Sequence, residues 1–564
     1  MAAVSTTNFN ALFKFKAFPL LTALFLNLFL IGCSYPTYSI KFYDDNLDLN
    51  YAASIIGEAN ISLPTLISDN NLSTPLYLAS SSTDISTNTA LEVTKNINLY
   101  AIQNVQEITT QEELAAINTN TTTLTGKYIL LNNITLDENK AGFDNTTNEG
   151  WIPIGSYKPY PETLSFRGIF NGNNNTITNL WINRPTTHGV GLFGFIEYAQ
   201  IRNLGVETAE GKEIKGDYYV GGIVGEIIGG YIINSYSNGN ISGNSSVGGI
   251  AGAIAIGSIT NSYSMGNING NERIGGIAGD VYENSDIINS YSNGSISGNN
   301  SVGGIAGYAS QSDITNSHSV GHVSGDKRVG GIVGFIMNNR DITNSYSAGN
   351  ISGNRGVGGI AGDVMSNRNI ANSYSTGNIS GNSEVGGIAG RFGDGNITNS
   401  YSTGDISGNE SIGGIAGDIA TGNIANSYST GNISGDDMVG GIAGYLYYSS
   451  AQNNAAINPS VTGTSNVNRV IGYIDTTYGP ITISNNFALY TMSGGISGSF
   501  DHSNINRYGI SKSDIDLKFQ ITYSDTVNGN GFGGLGWKFG DDDDNPWVQD
   551  AFSDYPYPTL YWQK

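Results

Sequence analysis

Apolar and polar residues alternate in a unit that recurs through the middle of the chain. From residue 220 onward the unit reads V-G-G-I-A-G, a short variable turn, I-T-N-S-Y-S and then G-N-I-S-G-N. Successive units start 27 or 28 residues apart, and their first apolar residues are Val220, Val247, Ile274, Val302, Val329, Val357, Val385, Ile412 and Val439. A repeat of this period predicts a solenoid in which each unit forms one coil.

Stacked coils place equal residues of neighbouring units side by side, about 4.8 Å apart. An Ile precedes a recurring Asn by two residues and another apolar residue follows that Asn by seven, so we expect aliphatic columns in the core. We expect a structural Asn ladder at Asn234, Asn261, Asn289, Asn316, Asn344, Asn372, Asn399 and Asn426. We expect an aromatic column, broken at His318, at Tyr236, Tyr263, Tyr291, Tyr346, Tyr374, Tyr401 and Tyr428.

Differences in unit length fall in one turn only. The distance from the Asn to the next opening residue is constant, so the variation lies after the G-G-I-A-G segment. Because an insertion inside a strand would turn every later side chain to the other face, we expect this turn to point outward. The residues placed near it are Glu226, Tyr282, Asn338 and Asp394.

The unit is too rich in Gly for helices and predicts about three short β-segments. Simple alternation places Ile, Asn and Tyr on one face and the Ser residues on the other, although a bend would reverse the Tyr. The clear and degenerate units together predict a rod roughly 50 Å long. A propeller is the competing geometry, but its blades usually need about 40 residues.

Composition supports a repeat protein and excludes several other classes. The chain has 77 Gly among 564 residues and only 13% charged residues, yet Gly and Pro are too few for collagen. One Cys excludes a disulfide framework. A net charge of −22 argues against nucleic acid as a partner, because no basic stripe is present to contact phosphates.

The N-terminus has the pattern of an export signal. Lys14 and Lys16 precede an apolar run that ends at Gly32-Cys33, and this run is short for a membrane span. The segment Leu30-Ile-Gly-Cys33 resembles the lipobox of bacterial lipoproteins. That resemblance implies lipid attachment at Cys33, anchoring in a membrane and a location at the outer membrane or cell surface. A plain signal peptide and a short uncleaved anchor are the alternatives.

The remaining chain divides around the repeats. Thr110-Gln-Glu-Glu113 has the pattern of a capping box that opens a short helix. The aromatic C-terminal segment Tyr555–Trp562 predicts a cap for the last coil, with an aromatic binding platform as the alternative. We assign a signal peptide (1–32), a Ser/Thr/Asn-rich tether (33–104), an N-terminal cap (105–165), the solenoid (166–480) and a C-terminal cap (481–564).

The repeat resembles the GLUG motif of bacterial surface proteins. The resemblance is carried by Gly191-Leu-Phe-Gly194, by the V-G-G-I-A-G units and by the lead-in Phe166–Gly172. It implies an all-β fold, a right-handed parallel β-helix, and an exported protein, adhesin-like in some members. The motif brings no shared catalytic residues. This sequence uses Ile-Ala where bulkier pairs are frequent, which suggests a tighter core.

Candidate chemistry is sparse. His188, His318, His322 and His502 are scattered, and Asp280, Asp363 and Asp418 follow G-G-I-A-G and are interpreted as turn residues. Asp541–Asp544 is a dense acidic run whose oxygens suit Ca²⁺, but it lacks EF-hand spacing and is interpreted as a solvated loop. We therefore expect no catalytic residues, no metal and no cofactor.

These observations predict a surface-exposed, lipid-anchored β-solenoid with a binding or structural role. The expected partners are a membrane, through the N-terminal lipid, and a host protein or glycan. The alternatives are a β-helix enzyme that acts on cell-wall or host glycans and a passive envelope spacer. Two acids within about 10 Å in a groove would favour the enzyme, whereas a smooth polar flank would favour binding.

Overall fold

A computed structural model gives the fold of most of the chain. It describes residues 37–44, 47, 49–56, 59–62, 77–78, 90–93, 97–100 and 104–563, the last range without 145, 157–163, 339, 478, 497–499, 501–504, 525–533 and 550–556. The signal peptide predicted at residues 1–32 and Cys33, the predicted site of lipid attachment, lie outside the described residues.

The repeats form a parallel β-solenoid of about 11 coils, which confirms the all-β fold. Most coils have five short strands rather than the three that the sequence predicted, and two coils have four because Ala389–Thr398 and Ala416–Ala425 each form one long strand. In a typical coil they are Glu272–Gly275, Ala278–Tyr282, Asp286–Ile288, Tyr291–Ser292 and Ile296–Ser297. The count is higher because Asn289, with a φ of 51°, bends the chain between two strands that simple alternation treated as one segment.

Equivalent strands of successive coils pair into four sheets. Sheet 1 has 10 strands, from Tyr218–Gly221 to Ser465–Asn468. Sheet 2 contains two strand columns, from Phe193–Glu197 to Ile471–Asp475 and from Val105–Ile108 to Thr482–Ser484. Sheets 3 and 4 have 14 strands each, from Ile134–Thr135 to Ile510–Lys512 and from Phe143–Asp144 to Ser493–Gly495.

The pairing register confirms the columns read from the sequence. Val220 pairs with Val247, and Ile241 pairs with Ile268. The aliphatic columns are buried throughout the repeats, and together they form one continuous core. In most coils the variable turn lies where predicted, between the two strand columns of sheet 2, as between Tyr282 and Asp286. For Asp394 the prediction is wrong, because this exposed residue lies inside the continuous strand Ala389–Thr398.

Glu226 does not belong to that outward turn. It lies inside the strand Val224–Ile228 and is only 5% exposed. The prediction placed it in the turn because the strand of sheet 2 runs to Ile228, beyond the end of the G-G-I-A-G segment at Gly225.

The second Gly of each G-G pair is required by close packing. A Cβ at Gly331 would collide with the carbonyl oxygen of Gly359 in the next coil and with Ser347 of its own coil. Ser347 belongs to the strand Tyr346–Ser347 and points into the core. The Gly and Ser columns therefore interlock across the interior, and this narrow contact is the tight core that the small residues suggested.

The N-terminal cap extends the sheets and covers their first edge. Thr110 and Glu113 form the predicted capping box at the start of the helix Gln111–Ala116, and Leu114 of that helix is buried. A 3₁₀ turn, Thr123–Thr125, follows. The strand Val105–Ile108 then pairs in parallel with Lys127–Leu130, which pairs with Ile169–Asn171.

The described part of the predicted tether also contains strands. A four-stranded sheet includes Thr37–Tyr43, Leu49–Ile56, Tyr77–Leu78 and Ile97–Tyr100, and Ala59–Ser62 pairs with Ala90–Val93. Tyr43 and Leu47 pack against Val105 and Ile129 of the cap. The sequence did not predict these strands because this segment is rich in Ser, Thr and Asn and shows no clear alternation of apolar and polar residues.

The last coil is closed by a buried arginine. Arg469 replaces a Gly of the G-G pair, and its guanidinium donates to the Ser511 hydroxyl at 3.1 Å and the Gly509 carbonyl at 3.1 Å. Beyond it lie two short helices, Ile505–Tyr508 and Gln520–Ser524, and a 3₁₀ turn, Asp516–Lys518. Among the described residues, none of the helices has the length and apolar character needed to cross a membrane.

The chain ends in a segment that turns back along the solenoid. Its strands are Phe539–Asp542, Asn545–Val548 and Thr559–Leu560, followed by the 3₁₀ turn Tyr561–Gln563. We call residues 534–549 and 557–563 the C-terminal strap.

Candidate functional site

The predicted aromatic column is a continuous stack of rings on sheet 3. The centroids of neighbouring rings lie 4.6 to 5.1 Å apart, with interplanar angles of 2° to 9°. The stack runs from Tyr236 to Tyr428, and His318 occupies one position without breaking it, 5.0 Å from Tyr291 and 4.6 Å from Tyr346. We call this column the Tyr ladder.

The rings of the Tyr ladder point outward, whereas the Ser residues on either side of each Tyr are buried. Simple alternation had placed Tyr on the same face as the buried Ile, and this is wrong. The reason is the recurring Asn, which adopts the left-handed conformation, as at Asn261 with a φ of 51°. Asn tolerates this conformation better than most residues, and the bend there reverses the alternation.

The recurring Asn residues also form the predicted ladder over part of its length. The Asn261 amide donates to the Asn234 carbonyl oxygen at 3.1 Å, and Asn289 donates to Asn261 at 3.1 Å. Asn399 donates to Asn372 at 3.3 Å. Asn316, Asn344 and Asn426 occupy the equivalent bends, with φ angles of 51°, 51° and 54°.

The C-terminal strap covers one half of the Tyr ladder. The ring of Trp562 lies 5.4 Å from Tyr374, and Trp547 lies 5.8 Å from Tyr428. The Tyr428 hydroxyl donates to the Pro558 carbonyl at 2.7 Å, and the Gln563 amide donates to the Tyr401 hydroxyl at 2.6 Å. The half from Tyr346 to Tyr428 is therefore the covered half.

The acidic run at the end of the chain helps to hold the strap. The Asp542 carboxylate accepts the backbone N–H of Asn545 at 2.8 Å within the hairpin. Asp543 accepts from the Tyr561 hydroxyl at 2.8 Å and from the Asn344 amide at 3.3 Å. All four aspartates of the run are exposed, but the interpretation as a loop holds only for Asp543 and Asp544, since Asp541 and Asp542 lie in the strand Phe539–Asp542.

The other half, from Tyr236 to His318, remains open to solvent along its edge. Its rings are half-buried by their neighbours, and the flanking Asn261, Asn289 and Asn316 are exposed. Burial raises the pKa of Tyr263 and lowers that of His318, so both are neutral at pH 7. The open half thus presents one aromatic edge, with its hydroxyl or ring nitrogen, and one carboxamide in every coil.

A polar pocket adjoins the start of the open half. It has a volume of about 270 Å³ and is lined by Glu207, Glu210, Lys212, Asn238, Asn240 and Met265, among others. Glu207 links the pocket to the Tyr ladder, since its carboxylate accepts the Tyr236 hydroxyl at 3.0 Å. Nothing in the repeat pattern predicted this pocket, because it depends on a turn that only the degenerate first coil contains.

A second charged feature lies where sheets 1 and 2 meet. Glu226, Asp280, Asp363 and Asp418 occupy one column of sheet 2. Burial raises the pKa of all four carboxyls, to about 7 for Glu226 and Asp418. The prediction that the three aspartates are turn residues is wrong, because each lies within a strand.

Neighbouring side chains hold these carboxylates. Arg273 approaches Asp280 at 3.1 Å, and the Ser246 hydroxyl donates to the same oxygen at 2.6 Å. Arg328 lies 3.5 Å from Asp363. Because Asp280 and Asp363 are only 3% and 6% exposed, they do not form an open acidic groove that a polymeric substrate could enter.

The other sequence candidates are structural in the described part of the chain. His188 stacks on Tyr218 at 4.9 Å, and the His322 ring nitrogen accepts the Asn350 N–H at 3.3 Å. His502 lies outside the described residues. Among the residues that the structure describes, no three His, Cys, Asp or Glu side chains form a group that could hold a metal ion.

Comparison with known proteins identifies the repeat. The family model described as the GLUG motif matches residues 298–324 and 381–407, which confirms the resemblance for two of the coils. No curated protein matches the sequence. A crystal structure from Bacteroides ovatus, titled a "putative immunoglobulin A1 protease", is 15% identical, with 82% of this chain and 93% of that chain covered. Its TM-score of 0.20 is too low to carry an argument about fold or activity.

Proposed function

We propose that this chain, a β-solenoid whose coils carry the GLUG motif, binds an extended glycan along the open half of the Tyr ladder. The open half repeats the same two groups, a phenol and a carboxamide, at the coil spacing of 4.8 to 5.1 Å between Tyr rings. The repeat distance of an extended β-linked glycan is about the length of one pyranose ring, which is close to this coil spacing. Each coil would therefore contact one sugar. This match in spacing is the observation that carries the proposal.

The chemistry of the open half suits a neutral sugar polymer. Phenol hydroxyls and carboxamides both donate and accept hydrogen bonds, as sugar hydroxyls require. The ring edges supply apolar contact to the C–H groups of a pyranose. Weak contacts repeated over four coils add up when a rigid surface holds them in register, because little ordering is needed on binding.

The strap supports this assignment because it shows which kind of side chain packs on the covered half of the Tyr ladder. Trp562 packs beside two Tyr rings, and its indole N–H donates to the Asn372 carbonyl at 3.2 Å. A planar group that combines ring contact with hydrogen bonds therefore fits the same surface in the covered half. A sugar ring offers a similar combination of apolar and polar edges.

Binding can be tested on the full-length protein in detergent. The probes are hexasaccharides of β1,4-linked glucose, mannose and N-acetylglucosamine, titrated by calorimetry. Tyr263→Phe and Tyr291→Phe together remove two hydroxyls from the open half, and we expect about tenfold weaker binding. Tyr374→Phe, in the covered half, is the matched control and should bind like the unchanged protein. The absence of binding to all three probes would refute the proposal.

We further propose that the protein is exported and held by a lipid at Cys33, which would display the solenoid at a membrane surface. The support is the apolar run before the only Cys of the chain. Mass spectrometry of the native N-terminus should find an acylated Cys33 and no residues before it. Cys33→Ser should release the protein from membranes, and an unmodified or uncleaved Cys33 would contradict the anchor.

In this proposal the chain binds without catalysis. The support is the burial of the acidic column at the junction of sheets 1 and 2, which keeps Asp280 and Asp363 from solvent. Incubation of the same hexasaccharides with the protein should leave their length unchanged, as measured by chromatography. Shortened products would instead favour a carbohydrate-active enzyme.

A further inference from the structure

The Tyr ladder has a defined first end, and the chain changes there. In the coil before Tyr236 the equivalent residue is Gly205, so no ring continues the stack. One coil further, Thr176 contacts the Tyr236 hydroxyl at 3.0 Å. The ladder therefore ends at a ring whose hydroxyl is held by Thr176 and Glu207.

A longer turn stands beside this end. Val190 pairs with Val220, 30 residues later, whereas the regular coils have 27 or 28 residues. The extra residues lie between the strands Gly205–Thr208 and Glu213–Lys215, where regular coils need only a short turn. The turn is fixed by the Lys212 N–H, which donates to the Ala209 carbonyl at 3.0 Å, and by the Lys212 ammonium, 4.4 Å from the Trp181 ring.

This turn and the next two coils border the polar pocket of about 270 Å³, which is open to solvent. Its lining offers the carboxylates of Glu207 and Glu210, the amides of Asn238 and Asn240, and the apolar side chain of Met265. Carboxylates accept and amides both donate and accept hydrogen bonds, so these side chains suit the hydroxyls of one sugar ring. The pocket and the Tyr ladder share Glu207, so a ligand that lies on the ladder can reach both.

The charges of the pocket select among sugars. The lining contains two carboxylates and one ammonium, and the Lys212 ammonium lies over the Trp181 ring, where cation–π attraction holds it. A sugar that carries a carboxylate would meet repulsion from Glu207 and Glu210, while a neutral sugar can donate its hydroxyls to them. The pocket therefore favours a neutral terminal sugar over a uronic or other acidic one.

We infer that this pocket is a subsite for the terminal neutral sugar of the glycan, so that the ladder binds a chain end rather than any internal stretch. The inference rests on the proposed function and adds to it the class of terminal residue and the position of the glycan end. Its experiment separates the two, since the ladder variants test binding of the chain and the pocket variants test only recognition of the end.

The test compares two forms of one probe on the full-length protein by calorimetry. The probes are β1,4-linked glucose hexasaccharide and the same hexasaccharide oxidised to a carboxylate at C6 of its non-reducing terminal sugar. We expect the neutral form to bind about tenfold more tightly. The double variant Glu207→Gln/Glu210→Gln keeps the size of both side chains and should reduce this preference to about twofold or less.

A second variant keeps the test independent of charge. Asn238→Ala removes a pocket amide and should weaken binding of the neutral probe about fivefold, whereas Asn293→Ala, two coils further in the same column, should have less effect. Equal binding of the two probe forms, or equal effects of Asn238→Ala and Asn293→Ala, would overturn the terminal subsite while leaving ladder binding intact. The absence of binding to either form would overturn both inferences.

Discussion

The two halves of the Tyr ladder have nearly the same local sequence but different surroundings. Tyr263 and Tyr291 are half-buried at an open edge, while Tyr401 is 3% exposed and Tyr428 is fully buried. The neighbouring Asn residues follow the same division, since Asn261 is exposed and Asn372 is 6% exposed. The repeat thus sets the direction of each side chain, and a distant segment of the chain sets which of them meets solvent.

Removal of a strap tryptophan should produce the largest effect on this contrast. Trp547 is fully buried between Trp537, at 4.6 Å, and Tyr428, so Trp547→Ala should destabilise the docked strap by about 3–5 kcal/mol. We expect a red shift of tryptophan emission and rapid proteolysis within residues 534–563, while amide exchange in the coils stays slow. Trp562→Ala, at a partly exposed site, is the control and should shift emission less. Unchanged proteolysis of the Trp547→Ala variant would mean that the strap is not held by these rings.

Substitution of one Tyr in each half of the Tyr ladder compares the stability that the covered and the open half contribute. Tyr428→Ala opens a cavity beneath the strap and should cost about 3–4 kcal/mol, measured by chemical denaturation. Tyr263→Ala removes a ring with an exposed edge and should cost about 1–2 kcal/mol, because less area leaves contact and no cavity is enclosed. Equal losses would show that stacking between coils, rather than cover by the strap, dominates both sites.

Two titratable groups beside the Tyr ladder, Asp418 in a coil of the covered half and His318 in the open half, should give pH responses of opposite sign. The coil that carries Tyr428 also carries Asp418. Burial and the negative charge of Glu384 raise the pKa of the Asp418 carboxyl to about 7, although the positive charge of Arg391 opposes this rise. Between about pH 4 and pH 7 the folded protein keeps a proton that the unfolded chain loses, so stability falls as pH rises through this range. Asp418→Asn should flatten that fall, by about 2 kcal/mol between pH 5 and pH 8, as seen in thermal unfolding.

Asp363 has a raised pKa as well and lies on the same column, so Asp363→Asn is the companion variant. If stability still falls with pH in the double variant, carboxyls other than Asp418 and Asp363, such as Glu226 and Asp280 of the same column, contribute to it.

The smallest expected effect belongs to the open half. Burial lowers the pKa of His318, so the folded state resists protonation, and stability falls as pH decreases below about 6.5. His318→Tyr restores a ladder of uniform rings and should remove this acid sensitivity, with a gain of about 0.5 kcal/mol at pH 5.5. The neighbouring substitution His322→Tyr, at an exposed turn, is the control. An unchanged acid profile in His318→Tyr would place the sensitivity elsewhere.

Much of the fold was readable from spacing alone. The interval between Asn and the next opening residue located the invariant half of each coil, and the register of Val220 with Val247 confirms it. The capping box at Thr110 and the place of His318 in the Tyr ladder also followed from the sequence. These features depend on residues close in sequence or one coil apart, where the chain has little choice of neighbour.

The direction of Tyr and the burial of the aspartates could not be read in this way. Alternation assumes an uninterrupted strand, and the left-handed Asn between Ile and Tyr breaks it in each coil. Asp280 looked like a turn residue beside Gly, but its strand continues to Tyr282, and Arg273 of the neighbouring sheet pairs with it. Both errors arise because a bend, or a strand that continues past the G-G-I-A-G segment, changes the direction or burial of a side chain without changing the repeat length.

The sequence by itself determined a repeat solenoid, its coil length, its core columns and its stacked Asn and Tyr residues, because similar units repeat similar contacts. Only the tertiary structure decided that the strap covers Tyr346 to Tyr428, that Tyr236 to His318 stay open and that the pocket at Glu207 lies beside the first ring. Those contacts join residues as far apart as Tyr401 and Gln563. The spacing of residues within one repeat cannot predict such contacts, because the stacked coils bring segments that are distant in sequence to one face.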